Sequence, residues 1–324
     1  MKHDQRIQNR IIEELFQRIY KAHETAETRG RFKVYIFIPL MPSAAAPIEK
    51  CGIIRATLHW EYQTINRGKR SLFGLLREKG INPHDYVSVF SLRTHGISPR
   101  TGIPVSEMVY IHSKVMIVDD EWLIIGSANL NDRSQLGNRD SEIAVVIHDT
   151  AQFVYIKLVH TGESIRVGKA GYELRTRLLQ EHLAIPSANL HLFDDLSDNS
   201  VWRRINDIAL NNTRIYESVF GCVPSNRVHS FKELAAYREK LAKYEAVAAR
   251  GQQNVPQGQH PVPDCFAPLR VPGSLGVERA LAELSKVRGH IVQFPLDFLK
   301  DETAATLLPR IGEKEFLVSA HFFT

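Results

Sequence analysis

Cysteine is scarce in this chain of 324 residues. Cys51, Cys222 and Cys265 are odd in number and far apart. They offer neither a disulfide framework nor the close spacing of a metal-ligand cluster, which points to a reducing compartment. No run of about 18 consecutive apolar residues occurs, so no transmembrane helix is expected. Behind Met1-Lys2-His3-Asp4-Gln5-Arg6 there is no apolar stretch of the kind a signal peptide needs. Internal repeats are also lacking, which argues against a solenoid. Any membrane is therefore met from the side, and a cytoplasmic, peripheral location is expected.

The rest of the composition is that of a soluble globular protein, 44% hydrophobic and 24% charged. The length suffices for one large domain or two modest ones. A net charge of +5 suits an anionic partner, phospholipid or nucleic acid, without choosing between them.

Periodicity places the elements. Ile7, Ile11, Leu15 and Ile19, widened by Ile12 and Phe16, predict an amphipathic first helix. Lys33 to Pro39 reads as a buried strand, Ile53 to Asn66 and Ser71 to Lys79 as helices, and Tyr86 to Leu92 as a strand. Arg93 to Glu107 reads as a loop, and Val109 to Val118 as one strand of period two. Trp122 to Ile125 and Ser141 to Ile147 add strands. Beyond residue 150 the pattern turns helical, at Ala170 to Leu183, Val201 to Ser218, Phe231 to Ala249 and Val277 to Val287. Gly251 to Gly276, with five prolines, reads as a linker, and His290 to Leu296 as a last strand. Strands alternating with helices imply an α/β sandwich.

One stretch carries chemistry. From His112 to Asn129 the chain reads H-x-K-x4-D-x6-G-S-x-N, and this pattern occurs once. On a single strand, His112 and Lys114 share a face. The imidazole titrates near neutrality and serves as nucleophile or general acid. The Lys114 ammonium suits a phosphoryl oxygen. Ser127 and Asn129, after the permissive Gly126, are candidate donors for closing an oxygen cage. Asp119 completes the candidate catalytic set, but five residues from Lys114 it falls on the opposite face, where bracing the turn is its expected job. An acid/base histidine also needs an orienting carboxylate. Arg139-Asp140-Ser141-Glu142 offers one, and Glu142 is preferred to Asp140 as lying within the strand. Elsewhere, Asp194 to Asn199 reads as a helix-capping region rather than a calcium loop. Arg67, Lys69 and Arg70 read as a solvated turn rather than a headgroup site.

His112, Lys114, Asp119, Gly126, Ser127 and Asn129 together resemble the phospholipase D superfamily motif. Val34 to Leu40, Leu92-Arg93-Thr94-His95, Asn131-Asp132-Arg133-Ser134, Arg139 to Glu142 and Val292-Gln293-Phe294-Pro295 look like the C-terminal half of eukaryotic phosphatidylcholine-hydrolysing phospholipase D. The resemblance is densest from about 33 to 150. It implies a phospholipase D-like α-β-α sandwich half-domain with a helical C-terminal extension. The expected division is a catalytic half-domain at 1–190, helices at 191–250, a linker at 251–276 and a packing segment at 277–324.

The resemblance also implies a reaction. One histidine attacks phosphorus, and a second protonates the departing choline and then activates water; His112 would be the second. No metal or other cofactor is implied. The family's other histidine motif is missing from this sequence, so the chain resembles half an active site. Three functions compete: a phospholipase D half acting on phosphatidylcholine, a single-motif phosphodiesterase completed by a second copy, and an inactive lipid- or partner-binding fragment. The expected partners are a phospholipid surface and an N-terminal half in trans, or a second copy. The flanking resemblance favours lipid over nucleic acid.

Overall fold

The computed structural model describes residues 7–42, 46–99, 102–159, 161–239, 266–268 and 274–309. The predicted first helix is α1 (Ile11–Glu24), with Phe16, Ile19 and Ala22 buried. Glu13 and Glu14 in its first turn and Lys21 and His23 in its last complement the helix dipole. Ile7 falls outside it. The segment it belongs to is held by Asp132, which accepts from the Gln8 amide at 2.7 Å and the Asn9 amide at 2.9 Å.

Strand β2 (Val87–Ile97) organises the larger sheet. It pairs in parallel with β1 (Val34–Phe37), through Val34 opposite Val87 to Phe37 opposite Phe90. It pairs antiparallel with β3 (Pro104–Val109) and with β10 (Ile291–Gln293). Val87 and Val89 enter one core with α1, α2 (Gly52–Ile65) and α3 (Leu72–Glu78). Phe90 and Leu92 enter a second with α5 (Lys169–Leu183) and the first half of α6 (Asn199–Phe220). Adjacent side chains on a strand point to opposite faces, so a strand covered on both sides reads as a continuous apolar run. The result is an α/β sandwich of helices, sheet and helices, as expected.

Helix α6 packs into both cores. Its first half, through Val201, Ile205 and Ala209, fills the second core, and Ile215, Tyr216, Val219 and Phe220 fill the first. The fully buried Asn212 donates to the carbonyls of Arg288 and Ile291, both at 2.8 Å, which fastens β10 to the helix. Asp198 caps the helix, accepting from the Ser200 amide at 2.7 Å, so the acidic run caps as expected. Arg67 is not a solvated turn residue. Its guanidinium lies 3.7 Å from the Tyr62 ring centroid and donates to the carbonyls of Leu296 and Leu299.

Four further sequence readings need correction. Arg93 to Glu107 is a β2–β3 hairpin, with Leu92 opposite Val109 and Ile97 opposite Pro104. Its glycines and prolines mark the strand ends and tip rather than a loop. Val109 to Val118 is not one strand: β3 stops at Val109 and β4 (Lys114–Val118) belongs to another sheet. Between 150 and 170 lies an unforeseen hairpin, β7 (Phe153–Lys157) on β8 (Ser164–Gly168), turned at Gly162 with φ 71°. Within 251–276, β9 (Phe266–Pro268) pairs with β3, and α8 (Ser274–Leu284) starts before Val277. The chain is also helical over 231–239 (α7); the rest of that predicted helix, most of the predicted linker and the tail from 310 lie outside the described residues.

The second sheet is the meander β4–β5–β6, with β5 (Trp122–Gly126) central and β6 (Ala144–His148) at one edge. Asp119 (φ 53°) and Asp120 (φ 57°) form the β4–β5 turn. With Glu121 they make a three-residue turn, since Val118 lies opposite Trp122, and aspartate tolerates the left-handed region. Asp120 is buried and meets Arg175 of α5 in two bonds of 2.7 and 2.6 Å. A Cβ at Gly171 would fall 2.2 Å from the Asp120 carbonyl oxygen, so only glycine lets α5 approach this turn. Much of this sheet is uncovered. Val145 and Val146 point to opposite sides of β6, yet are 59% and 57% exposed. Val115, Trp122, Ile125, Ile143, Phe153 and Tyr155 add to the exposed apolar surface.

Candidate active site

His112 lies on neither sheet. Residues 110–113 carry the chain from the end of β3 to the start of β4, and His112 is exposed on this crossing. The shared strand face expected for His112 and Lys114 is therefore replaced by a bend. Tyr110 steadies it, stacking on the imidazole with ring centroids 6.2 Å apart and donating its hydroxyl to the Pro42 carbonyl at 3.0 Å. The Lys114 ammonium folds back and donates to the His112 carbonyl at 2.6 Å.

Strand register assembles the next shell of groups. Lys114 lies opposite Gly126, and Gly126 opposite Ala144. A Cβ at Gly126 would fall 2.6 Å from both the Ala144 Cβ and the Ile143 carbonyl oxygen, so glycine is required for this close approach. Ser127 then locks onto the neighbouring chain. Its amide donates to the Ile143 carbonyl at 3.0 Å, and its hydroxyl oxygen accepts from the Ile143 amide at 3.0 Å. The hydroxyl proton goes to the Glu142 carboxylate. The hydrogen bond from Ser127 holds the Glu142 carboxyl below its ordinary range, and the nearby Lys114 charge adds to the effect.

These contacts revise the candidate roles. Glu142 lies before β6 rather than in it, and among the described residues no hydrogen bond joins it to His112. It orients Ser127 instead. The Ser127 hydroxyl is engaged as both donor and acceptor, which leaves Lys114 and Asn129 as donors toward an anion. Asn129 is exposed and its carbonyl accepts from Gln135 at 2.7 Å; among the described residues its side-chain amide has no hydrogen bond. Asp119 sits at the far end of β4 from Lys114, exposed in the turn. His95 is not part of this constellation; its Nδ1 meets the Tyr216 hydroxyl at 2.9 Å, and burial lowers its pKa.

The loop after Asn129 contains positions that sequence reading quoted without a role. Asn131 caps the short α4 (Asp132–Gln135), accepting from the Ser134 amide at 3.0 Å. That cap was legible, since Asn three residues before Ser is a common helix start. Arg133 holds Asp140 in two bonds of 3.1 and 3.0 Å, which removes Asp140 as a competitor for the histidine. Asp132, 1% exposed, ties this loop to residues 8 and 9. Nothing in local sequence announces a contact spanning more than a hundred positions.

A family model for phospholipase D matches residues 1–232, which takes in the whole of this constellation. The chain belongs to the phospholipase D family. Phospholipase D zeta 1 of Arabidopsis thaliana is 35% identical over 99% of this chain, which covers 28% of that relative. Phospholipase D1 of Mus musculus is 36% identical over 99% of the chain, covering 26% of the relative. Phospholipase D of Phytophthora infestans reaches 42% over 69% of the chain. The chain thus spans between about an eighth and three tenths of these phospholipase D proteins. Among the described residues, no helix is long and apolar enough to cross a membrane.

Proposed function

We propose that this chain supplies one histidine-bearing half of a phospholipase D site that hydrolyses phosphatidylcholine to phosphatidate and choline. The observation that carries the reading is the grouping of an exposed imidazole, an ammonium 2.6 Å from that residue's carbonyl, and a serine–carboxylate pair one strand away, in a phospholipase D sequence context. In the proposed cycle a second histidine, from polypeptide other than the H-x-K stretch described here, attacks phosphorus. A P–N bond forms as the P–O bond to choline breaks, and His112 gives its proton to the leaving oxygen. His112 then takes a proton from water, whose oxygen displaces the phosphohistidine nitrogen. Lys114 and Asn129 hold the non-bridging oxygens through both steps, where donors placed in advance stabilise developing charge. Asp119 acts through the β4–β5 turn alone.

The uncovered second sheet supports the need for a partner. An edge strand exposed on both faces, with valines on each, is a poor surface to leave in water. A complementary phospholipase D half is the proposed cover, and a cytoplasmic membrane surface is the proposed place of work. Phosphatidylcholine is preferred to nucleic acid on the flanking likeness to lipid-named relatives.

The test is a titration with orthovanadate, a phosphate mimic, followed by the amide resonance of Asn129 and the side-chain nitrogen of Lys114. Saturable shifts of both are expected. An anion that binds without disturbing either residue would remove the phosphate site from this strand and turn.

A further inference from the structure

Two stretches distant in sequence, 226–233 and 297–302, run side by side. The Leu299 amide donates to the Val228 carbonyl at 2.9 Å and the Asp301 amide to the His229 carbonyl at 3.0 Å. The Phe231 amide donates to Glu302 at 2.6 Å, and the Asp297 amide to the Asn226 side chain at 2.9 Å. At their junction a ring nitrogen of His229 and the carboxylates of Glu233 and Asp301 lie within 4.8 Å of one another.

The hydrogen bonding fixes which nitrogen is available. His229 Nε2 lies 2.7 Å from the Asn226 carbonyl. A carbonyl only accepts, so Nε2 carries the proton, and the neutral ring keeps its lone pair on Nδ1. That lone pair and two carboxylates are all acceptors. Among the described residues no donor reaches Nδ1, and no ion pair joins the ring to either carboxylate. Glu233 accepts through one oxygen from the His229 amide at 2.7 Å, which fixes its side chain. Among the described residues, no positive side chain pairs with these three groups. Ligand atoms of a tetrahedral zinc site with bonds of about 2.1 Å stand roughly 3.4 Å apart, so these three side chains close slightly on binding an ion.

We propose that His229 Nδ1, Glu233 and Asp301 bind a divalent transition-metal ion of the zinc type. One nitrogen and two carboxylate oxygens, with water as fourth ligand, make a zinc-like set. The imidazole selects against calcium and magnesium, which take oxygen. The bond from Nε2 to the Asn226 carbonyl is the outer-shell contact that orients a metal-binding histidine. The ion clips the segment after β10 to the start of α7, and the site is independent of the phosphodiesterase reading.

The experiment is calorimetric titration of zinc chloride into the tag-free chain, with melting curves alongside. One zinc per chain is expected, with a rise in Tm that calcium and magnesium do not reproduce. His229→Ala and Asp301→Asn are each expected to weaken zinc binding at least tenfold. Asp301→Asn should melt like the parent in chelator, since Asp301 is exposed. An absence of saturable zinc binding, or variants that bind as tightly as the parent, would overturn the assignment.

Discussion

In an assembled enzyme containing both histidines, His112→Ala is expected to lower choline release by about 10²- to 10⁴-fold, the usual contribution of a placed acid/base group. The loss should fall on kcat, because the imidazole acts on the leaving oxygen rather than on ground-state binding. His112 is exposed on the bend between the two sheets, so its removal leaves no cavity. Surface changes of this kind stay within about 0.5 kcal/mol of stability. A variant that melts like the parent yet has lost turnover locates the defect in the chemistry. Near-normal turnover would remove His112 from the proposed cycle.

The turn at Asp119 and Asp120 gives the largest expected effect on stability. Asp120 and Arg175 are 7% and 12% exposed at their side chains and meet in two short bonds. Removing one partner of such a pair strands the other charge and costs about 3–5 kcal/mol. Asp120→Ala is therefore expected to lower Tm sharply and to loosen α5 from the second sheet. Asp119→Asn is expected to change little, since the side chain is exposed and asparagine tolerates a φ of 53°. Thermal unfolding of the two variants side by side is the check. The reverse ranking would show that the motif aspartate, not its neighbour, braces the turn.

That turn also shows where sequence reading reached and where it stopped. The motif located the β4–β5 corner and foresaw a structural job there, but credited Asp119. Two adjacent aspartates differ only in which one points inward, and that depends on the approach of α5, fifty residues on. The class of fold was legible because β2 reads as an unbroken buried run and the flanking helices carry clear stripes. The break between Val109 and Lys114 was not. Its alternating residues, Val109, Ile111, Val115 and Ile117, fit one strand as well as two, and only the pairing of β3 with β2 and of β4 with β5 separates them. Glu142 was found, but its partner was misassigned, because a strand boundary two residues later places it beside Ser127. The Asp132 anchor and the His229 cluster rest on contacts between distant segments, which periodicity does not encode.

The central claim is that this chain holds one histidine of a site that needs two. Sedimentation of the purified chain, paired with a choline-release assay on the same sample before and after adding a separately made phospholipase D half with the other histidine motif, tests it most directly. The account predicts a chain that is silent alone, self-associates through its uncovered second sheet, and gains activity as the complementary half binds. A well-behaved monomer with full phospholipase activity on its own would contradict it.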